Sequence, residues 1–155
     1  MLILGIDPGS SSGCIIGYNT DLKAYSSISL SNPYPIMVRE FEELVRPYKQ
    51  RNEEIYCIME KVGAFPGQSV VATWSFAEGN GVIIGLLLTW KIPYDTIAPV
   101  TWQKSFLTPK FQEKTDRKKW LQAKALQLMP DQKIILKNAD GYLLNYYARQ
   151  KKNNI

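Results

Sequence analysis

The chain has 155 residues with 19 basic and 14 acidic side chains, which gives a formal net charge of +5 and favours a polyanionic partner such as nucleic acid. This length allows one domain with a substantial core, and a hydrophobic fraction of 45% excludes a disordered chain. Because the chain contains no histidine, Ser-His-Asp and Cys-His nucleophiles and histidine-bearing zinc sites are excluded, and any catalysis must depend on carboxylates, lysines or metal ions.

The N-terminal part of the chain predicts a sheet of four strands with one crossover helix. Short apolar or alternating runs bounded by turn residues indicate the strands, at residues 2–7, 13–18, 23–30 and 53–60. The first three strands follow one another closely and predict an antiparallel meander. Asn32-Pro33 indicates the start of a surface helix, and the strand after this helix should lie parallel to the first strand.

The next segment predicts a long helix and a fifth strand. Residues 68–91 are compatible with a helix, are apolar nearly all round from Val82 onward and contain three glycines. This pattern predicts a buried, kinked helix. Residues 93–98 predict a last short strand, and Thr101 opens a short helix.

Two further helices complete the predicted elements. The first is predicted to be capped by Thr115 and to turn Ala123 inward. The second is predicted to run from about Lys137 to Arg149, followed by a flexible basic tail from about residue 150.

We expect residues 1–155 to form a single domain in the cytoplasm. The two cysteines, Cys14 and Cys57, lie in predicted strands, which favours buried reduced thiols over a secreted disulfide framework. The longest apolar run, residues 82–90, is too short to span a bilayer, so we expect no membrane association. Met1 is followed directly by an apolar strand, so we expect no signal peptide.

Acidic residues end two of the predicted strands and lie near the start of the last helix. Asp7 ends the first strand, Glu60 ends the neighbouring parallel strand, and Asp140 lies near the start of the helix. Functional sites of open α/β sheets lie at the carboxyl ends of strands, so these acids are candidate site residues. Taken singly, Asp7 is equally consistent with a turn former, and the other two acids with solvated side chains.

Five short motifs follow one another along the chain: Ile3-Leu4-Gly5-Ile6-Asp7-Pro8-Gly9-Ser10, Met59-Glu60-Lys61-Val62, Phe65-Pro66-Gly67-Gln68, Thr101-Trp102-Gln103-Lys104, and Ala139-Asp140 with Leu143-Leu144. Together with the order of the elements, they resemble the RuvC-type Holliday junction resolvases, particularly the phage versions. The resemblance covers almost the whole chain. It implies an α/β protein of the ribonuclease H-like fold, with a mixed five-stranded sheet, three antiparallel strands and then two parallel ones, flanked by helices.

The resemblance also implies an activity. It implies a metal-dependent, structure-selective endodeoxyribonuclease that cleaves Holliday junctions and related branched DNA by two-metal phosphodiester hydrolysis, leaving 5′-phosphate and 3′-hydroxyl ends. Hard Mg²⁺ ions prefer carboxylate oxygens, which fits the three acids. Asp7 would bridge two Mg²⁺ ions, with Glu60 on one side and Asp140 on the other, and Mn²⁺ is expected to substitute. No nucleotide cofactor is implied.

The sequence departs from the family pattern before Asp140. Most RuvC-type enzymes have a fourth acid or a histidine about one turn earlier, where this chain has Lys137 with Asn138 beside it. Three interpretations stay open. Asn138 is a neutral metal ligand, Lys137 is a catalytic residue that supplies positive charge at the phosphate, or the protein binds branched DNA and cleaves it poorly.

A basic segment predicts contacts with DNA phosphates, through Lys104, Lys110, Lys114, Arg117, Lys118 and Lys119. Such a charged run is also typical of a solvated face, but beside a phosphodiesterase site it is expected to bind the DNA backbone. Lys104 is in addition a candidate catalytic residue. Phe65 and Gln68 belong to a glycine-bearing loop that opens a helix and are candidate DNA contacts, although Phe65 is equally consistent with a core anchor.

Resolvases of this type act as homodimers, because a four-way junction has two-fold symmetry. The resemblance therefore implies a homodimer in a bacterial or phage-infected cytoplasm, with Trp74, Phe76 and Trp90 in the core or the dimer interface.

Two alternative functions stay open. Lys137 and the net charge favour a catalytically weak or silent branched-DNA-binding protein of the same fold. Asp7-Pro8-Gly9-Ser10 also fits an actin-like or sugar-kinase ATPase domain, although such enzymes need two domains around a nucleotide cleft.

Overall fold

Five strands and five helices make up the part of the chain that the computed structural model describes, which is residues 1–9, 13–63 and 67–153. The strands are β1 (Leu2–Asp7), β2 (Cys14–Asn19), β3 (Ala24–Ser29), β4 (Ile55–Glu60) and β5 (Tyr94–Ile97). The helices are α1 (Tyr34–Gln50), α2 (Val70–Thr89), α3 (Pro99–Lys104), α4 (Lys114–Leu128) and α5 (Ala139–Asn153).

The strands form one mixed sheet in the order β3-β2-β1-β4-β5. β1 pairs antiparallel with β2 and parallel with β4, β2 pairs antiparallel with β3, and β4 pairs parallel with β5. The predicted fold class, with three antiparallel strands and then two parallel ones, is confirmed. Because β1 and β4 are parallel neighbours, Asp7 and Glu60 end at the same edge of the sheet.

Both faces of the sheet are covered, as the continuous apolar run of β1 requires. Leu4 and Ile6 belong to a core layer beneath α1 and the buried part of α2. Ile3 belongs to the opposite layer, beneath α4 and α5. Burying a side chain of this size contributes about 1.5 to 3 kcal/mol, so burial on both faces keeps β1 at the centre of the sheet. Cys14 and Cys57 are buried free thiols, as predicted.

The start of α5 lies unusually close to the sheet. A Cβ atom at Gly5 would lie 2.4 Å from the backbone nitrogen of Asn145, and one at Gly141 would lie 2.3 Å from Cys14 Sγ. A side chain at position 5 would therefore require the backbone of α5 to move, and one at position 141 would require Cys14 to move. The two glycines allow α5 to pack against β1 and β2 at backbone distance.

A buried asparagine adds a polar link between α5 and the same two strands. Asn145 is fully buried, and its Nδ2 donates hydrogen bonds of 2.8 Å to the carbonyl oxygens of Ile3 and Ile16. A buried amide that met no acceptor would destabilise the fold by about 1 to 3 kcal/mol, so these bonds hold α5 in place. Asp140, in the first turn of α5, is thereby held beside the end of β1.

The prediction that α2 is buried is wrong. Along the helix only Ile83 and Leu87 are buried, whereas Val70, Trp74 and Leu88 are 85%, 73% and 65% exposed. An apolar composition does not distinguish a core helix from one with an uncovered apolar face. By length and composition α2 is also a candidate membrane-spanning helix, which is weak evidence because core helices of soluble proteins pass the same test.

The last two helices begin at residues other than those predicted. α4 starts at Lys114 after Glu113, so Thr115 is not the N-cap, and Ala123 is exposed. α5 starts at Ala139, which leaves Lys137 in the preceding turn. The helix continues to Asn153 and carries the basic residues that the sequence predicted as a flexible tail.

Candidate active site

A pocket of about 310 Å³ opens at the edge of the sheet where β1 and β4 end. Three acids line it, namely Asp7, Glu60 and Asp140. We call this cavity the acidic pocket. Its lining also includes Gly9, Lys61, Val62, Phe76, Pro99, Gln103, Lys114, Arg117 and Lys118. The structure therefore brings together the carboxylates that the sequence singled out.

Asp7 is held by the turn that follows β1. Its Oδ1 accepts a hydrogen bond of 3.2 Å from the backbone nitrogen of Gly9. Gly13 N, on the far side of this turn, donates to Gly9 O at 2.7 Å, and a Cβ at Gly13 would lie 2.1 Å from that oxygen. Glycine at position 13 therefore allows its backbone to approach that of Gly9 closely.

Glu60 is oriented by a buried tryptophan. Trp102 in α3 is fully buried, and its Nε1–H donates to Glu60 Oε2 at 2.7 Å. This bond fixes one carboxylate oxygen. Trp102 belongs to the motif of residues 101–104, but nothing in its spacing indicates that an indole of α3 reaches the end of β4.

Burial raises the pKa of all three carboxyls, and repulsion between acids adds to this effect at Asp7 and Glu60. Burial, and then the charges of Glu60 and Asp140, raise the pKa of Asp7 to about 7, although the Gly9 amide and Lys118 oppose this effect. Burial raises the pKa of Glu60 despite the hydrogen bond from Trp102, and it raises the pKa of Asp140 despite three nearby cations. Burial in the pocket thus disfavours the charged form of each carboxyl.

A basic helix face lies across from the acids. Lys114, Arg117 and Lys118 occupy positions i, i+3 and i+4 of α4 and line the acidic pocket, so they project from one face of the helix. Arg117 Nη1 donates to Gln103 Oε1 at 3.4 Å. Gln103 and Lys61 also line the pocket. Both residues lie in the motifs given above, but neither is a predicted site residue.

The other predicted DNA contacts lie elsewhere. Lys104, Lys110 and Lys119 are exposed but do not line the acidic pocket. Gln68 is exposed just before α2. Phe65 lies outside the described residues. The pocket therefore gathers only part of the predicted basic segment.

The predicted position of Lys137 beside the acids is wrong. Lys137 is exposed in the turn before α5 and lines a different pocket, because the helix begins two residues later than predicted. Asn138 lines that second pocket too. Its Oδ1 accepts from Ile135 N at 2.8 Å and its Nδ2 donates to Lys133 O at 3.2 Å. The amide of Asn138 thus stabilises its own turn, and it does not line the acidic pocket.

The donors in the acidic pocket fit hard divalent cations. Within residues 1–9, 13–63 and 67–153, no group of three His, Cys, Asp or Glu side chains is already close enough to hold one metal ion. The pocket nevertheless offers three carboxylates at mutually repelling positions, and oxygen donors of this kind suit Mg²⁺. A bound divalent ion would relieve the repulsion that, together with burial, raises the pKa of Asp7 and Glu60.

The fold is shared with solved structures of Holliday junction resolvases. RuvC from T. thermophilus in complex with a Holliday junction substrate has a TM-score of 0.60 at 12% sequence identity, covering 98% of this chain and 96% of that one. The fowlpox virus resolvase in complex with Holliday junction DNA has a TM-score of 0.51 at 16% identity, covering 97% of this chain and 99% of that one. No protein family and no curated protein matches the chain by sequence. The predicted resemblance to RuvC-type resolvases is confirmed at the level of the fold.

Proposed function

We propose that this chain is a metal-dependent, structure-selective endodeoxyribonuclease that cleaves four-way junctions and related branched DNA. The observation that carries this proposal is the acidic pocket, in which Asp7, Glu60 and Asp140 face the basic side of α4. The two resolvases that share the fold were solved with Holliday junctions bound, which supports branched DNA as the substrate class. Residues 1–155 would act as one domain, and the buried free thiols support a cytoplasmic location.

In this mechanism Asp7, Glu60 and Asp140 would hold two divalent cations, with Mg²⁺ as the proposed ion and Mn²⁺ as a substitute. When bound, such ions would supply Lewis-acid activation of water and of the scissile phosphate. Trp102 keeps Glu60 turned toward the pocket through its indole N–H. The products would carry 5′-phosphate and 3′-hydroxyl ends.

The cations of α4 would position the DNA. Lys114, Arg117 and Lys118 line the same pocket as the acids, so a phosphodiester that approaches the carboxylates also meets these side chains. Arginine and lysine form charge-assisted hydrogen bonds with phosphate oxygens, and these bonds are stronger than neutral ones. The α4 side chains would therefore offset the repulsion between the acids and the phosphate.

The uncovered face of α2 supports a homodimer. Trp74, Gly81, Gly85 and Leu88 recur at helical spacing on one side of α2, and all four are exposed. A Cβ at either glycine would meet no atom within 4 Å, so a second helix has room to approach closely. A second copy of the chain would cover this face and would match the two-fold symmetry of a four-way junction.

The proposed function is tested by cleavage of a synthetic four-way junction with Mg²⁺ or Mn²⁺. We expect symmetric nicks that DNA ligase reseals, as it does for 5′-phosphate and 3′-hydroxyl ends. Asp7→Asn should abolish cleavage but retain junction binding, because it removes a ligand and reduces repulsion toward phosphate. Asp131→Asn, which changes an exposed acid that does not line the pocket, is the matched control.

A second candidate is a catalytically weak or silent protein of the same fold that binds branched DNA. This alternative is favoured because the acidic pocket is lined by three acids, whereas the family pattern has a fourth ligand near the position of Lys137. Tight junction binding by the wild-type chain without cleavage in either metal would establish this alternative. Cleavage by Asp7→Asn at the wild-type rate would exclude the proposed site.

A further inference from the structure

A second cavity, of about 120 Å³, lies beside the acidic pocket. Hydroxyl-bearing residues of β3 and the following turn form one side, and the turn before α5 forms the other. We call it the serine pocket, and its lining consists of Gly13, Cys14, Ser27, Ser29, Ser31, Ile135, Lys137 and Asn138. This lining, taken from the described part of the chain, contains no acid.

The sheet register places the serine pocket next to Asp7. Asp7 lies opposite Cys14, and Cys14 lies opposite Ser29. Directly opposed residues point to the same face of a sheet, and neighbouring strands lie about 4.8 Å apart. The backbone of Ser29 is therefore about 10 Å from that of Asp7, two strand spacings away, with the side chains on the same face. The buried Cys14 lies between the two pockets.

The serine pocket offers donors and a positive charge. Lys137 is exposed and makes no hydrogen bond or ion pair with any residue of the described ranges. Ser29 Oγ and Ser31 Oγ lie 2.8 Å apart and share one hydrogen bond. Each hydroxyl carries one proton, so the pair keeps one proton to donate to a ligand. Asn138, whose amide is engaged within the turn, fixes the backbone that carries Lys137.

We propose that the serine pocket binds a phosphate group, and that in the DNA complex this group is a backbone phosphate of the strand that is cleaved in the acidic pocket. An ammonium and hydroxyl donors, with no carboxylate in the lining, select an anion with several acceptor oxygens. The identity of the phosphate as part of DNA rests on the proposed function. Lys137 then binds a phosphate of the cleaved strand next to the scissile one and takes no part in metal binding.

The first test needs no DNA. Inorganic phosphate is titrated into the metal-free, ¹⁵N-labelled chain at constant ionic strength, with chloride as the reference anion. We expect saturable changes in the chemical shifts of the Ser29, Ser31 and Lys137 amides. Lys137→Ala should weaken the phosphate affinity at least tenfold. Lys133→Ala, which removes an exposed lysine of the same turn region outside the pocket lining, should leave this affinity unchanged. Absence of shifts at these amides in the wild-type chain overturns the proposal.

The second test asks whether the phosphate group bound in the serine pocket belongs to DNA or is free phosphate. Junction affinity is measured without divalent ions at several salt concentrations. We expect Lys137→Ala to reduce the slope of log affinity against log salt by about 0.9, the value for one phosphate contact on duplex DNA, and Lys133→Ala to leave it unchanged. Phosphate shifts with an unchanged slope would overturn the assignment to DNA. If the wild-type chain neither binds nor cleaves junctions, the proposed function fails, and the phosphate titration still decides whether the pocket binds phosphate.

Discussion

Replacing Asp7 by asparagine should stabilise the folded protein at pH 8 when no divalent ion is present. The pKa of Asp7 is raised from 3.8 to about 7 by burial and by the charges of Glu60 and Asp140. A carboxyl with a higher pKa in the folded state destabilises the fold as the pH rises from 3.8 to about 7. At about 1.4 kcal/mol per pH unit, the full ionisation of Asp7 costs about 4 kcal/mol of folding free energy.

Asparagine removes this charge with little change in shape. Its Oδ1 can still accept the hydrogen bond that Gly9 N donates to Asp7, so the turn after β1 keeps its contact. Partial solvent access and adjustment of the neighbouring acids reduce the cost, and we expect a gain of about 2 to 4 kcal/mol for Asp7→Asn.

The assay is urea unfolding of the metal-free chain at several pH values. The stability difference between Asp7→Asn and the wild type should be full at pH 8. It should shrink toward zero as the pH falls below 3.8, where Asp7 becomes protonated in the unfolded state as well. Asp131→Asn, at an exposed acid, should show no such gain. A variant that is less stable than the wild type at pH 8, or a gain that is independent of pH, would refute the reasoning.

Three further outcomes follow from the structure. Trp102→Phe retains an aromatic ring in the core but loses the N–H that donates to Glu60. The pKa of Glu60 should therefore rise, so the acidic limb of the cleavage pH profile should move to higher pH and the Mg²⁺ concentration required should rise severalfold. An unchanged profile in a folded variant would exclude this positioning role. Trp74→Asp should convert a dimer to monomers in sedimentation experiments, whereas Val100→Asp, at another exposed apolar residue, should not. Lys118→Ala should reduce the slope of log junction affinity against log salt by about 0.9, and Lys119→Ala, outside the acidic pocket, should reduce it less. Equal effects would mean that both lysines act only through the overall positive charge and not through separate phosphate contacts.

The sheet and the acidic positions could be predicted because local patterns determine them. Three closely spaced strands leave little choice other than a meander, and a crossover helix requires the next strand to be parallel. Parallel neighbours end at one edge, so the positions of Asp7 and Glu60 in the sequence were enough to predict that they end together. Asp140 reaches the same pocket because α5 packs at backbone distance on two glycines, a contact that no local pattern indicates.

Lys137 and α2 show where the sequence was insufficient. The helical spacing that would place Lys137 on the same face as Asp140 applies only within a helix, and Lys137 lies in the turn before α5. Lys137 therefore lines the serine pocket and not the acidic pocket. The apolar residues of α2 satisfy the patterns of a core helix and of an interface helix equally, and only the packing of the folded chain distinguishes the two.

The two hydrogen bonds from Asn145 to β1 and β2 have a consequence for motion. Because this fully buried side chain ties α5 to both strands, the helix can separate from the sheet only when the core opens. Backbone amides of β1 and of the first turns of α5 should thus exchange with solvent deuterium only through global unfolding. α2, which buries only Ile83 and Leu87, should exchange through local opening. The carboxylates on β1 and α5 should therefore keep their spacing when α2 opens locally.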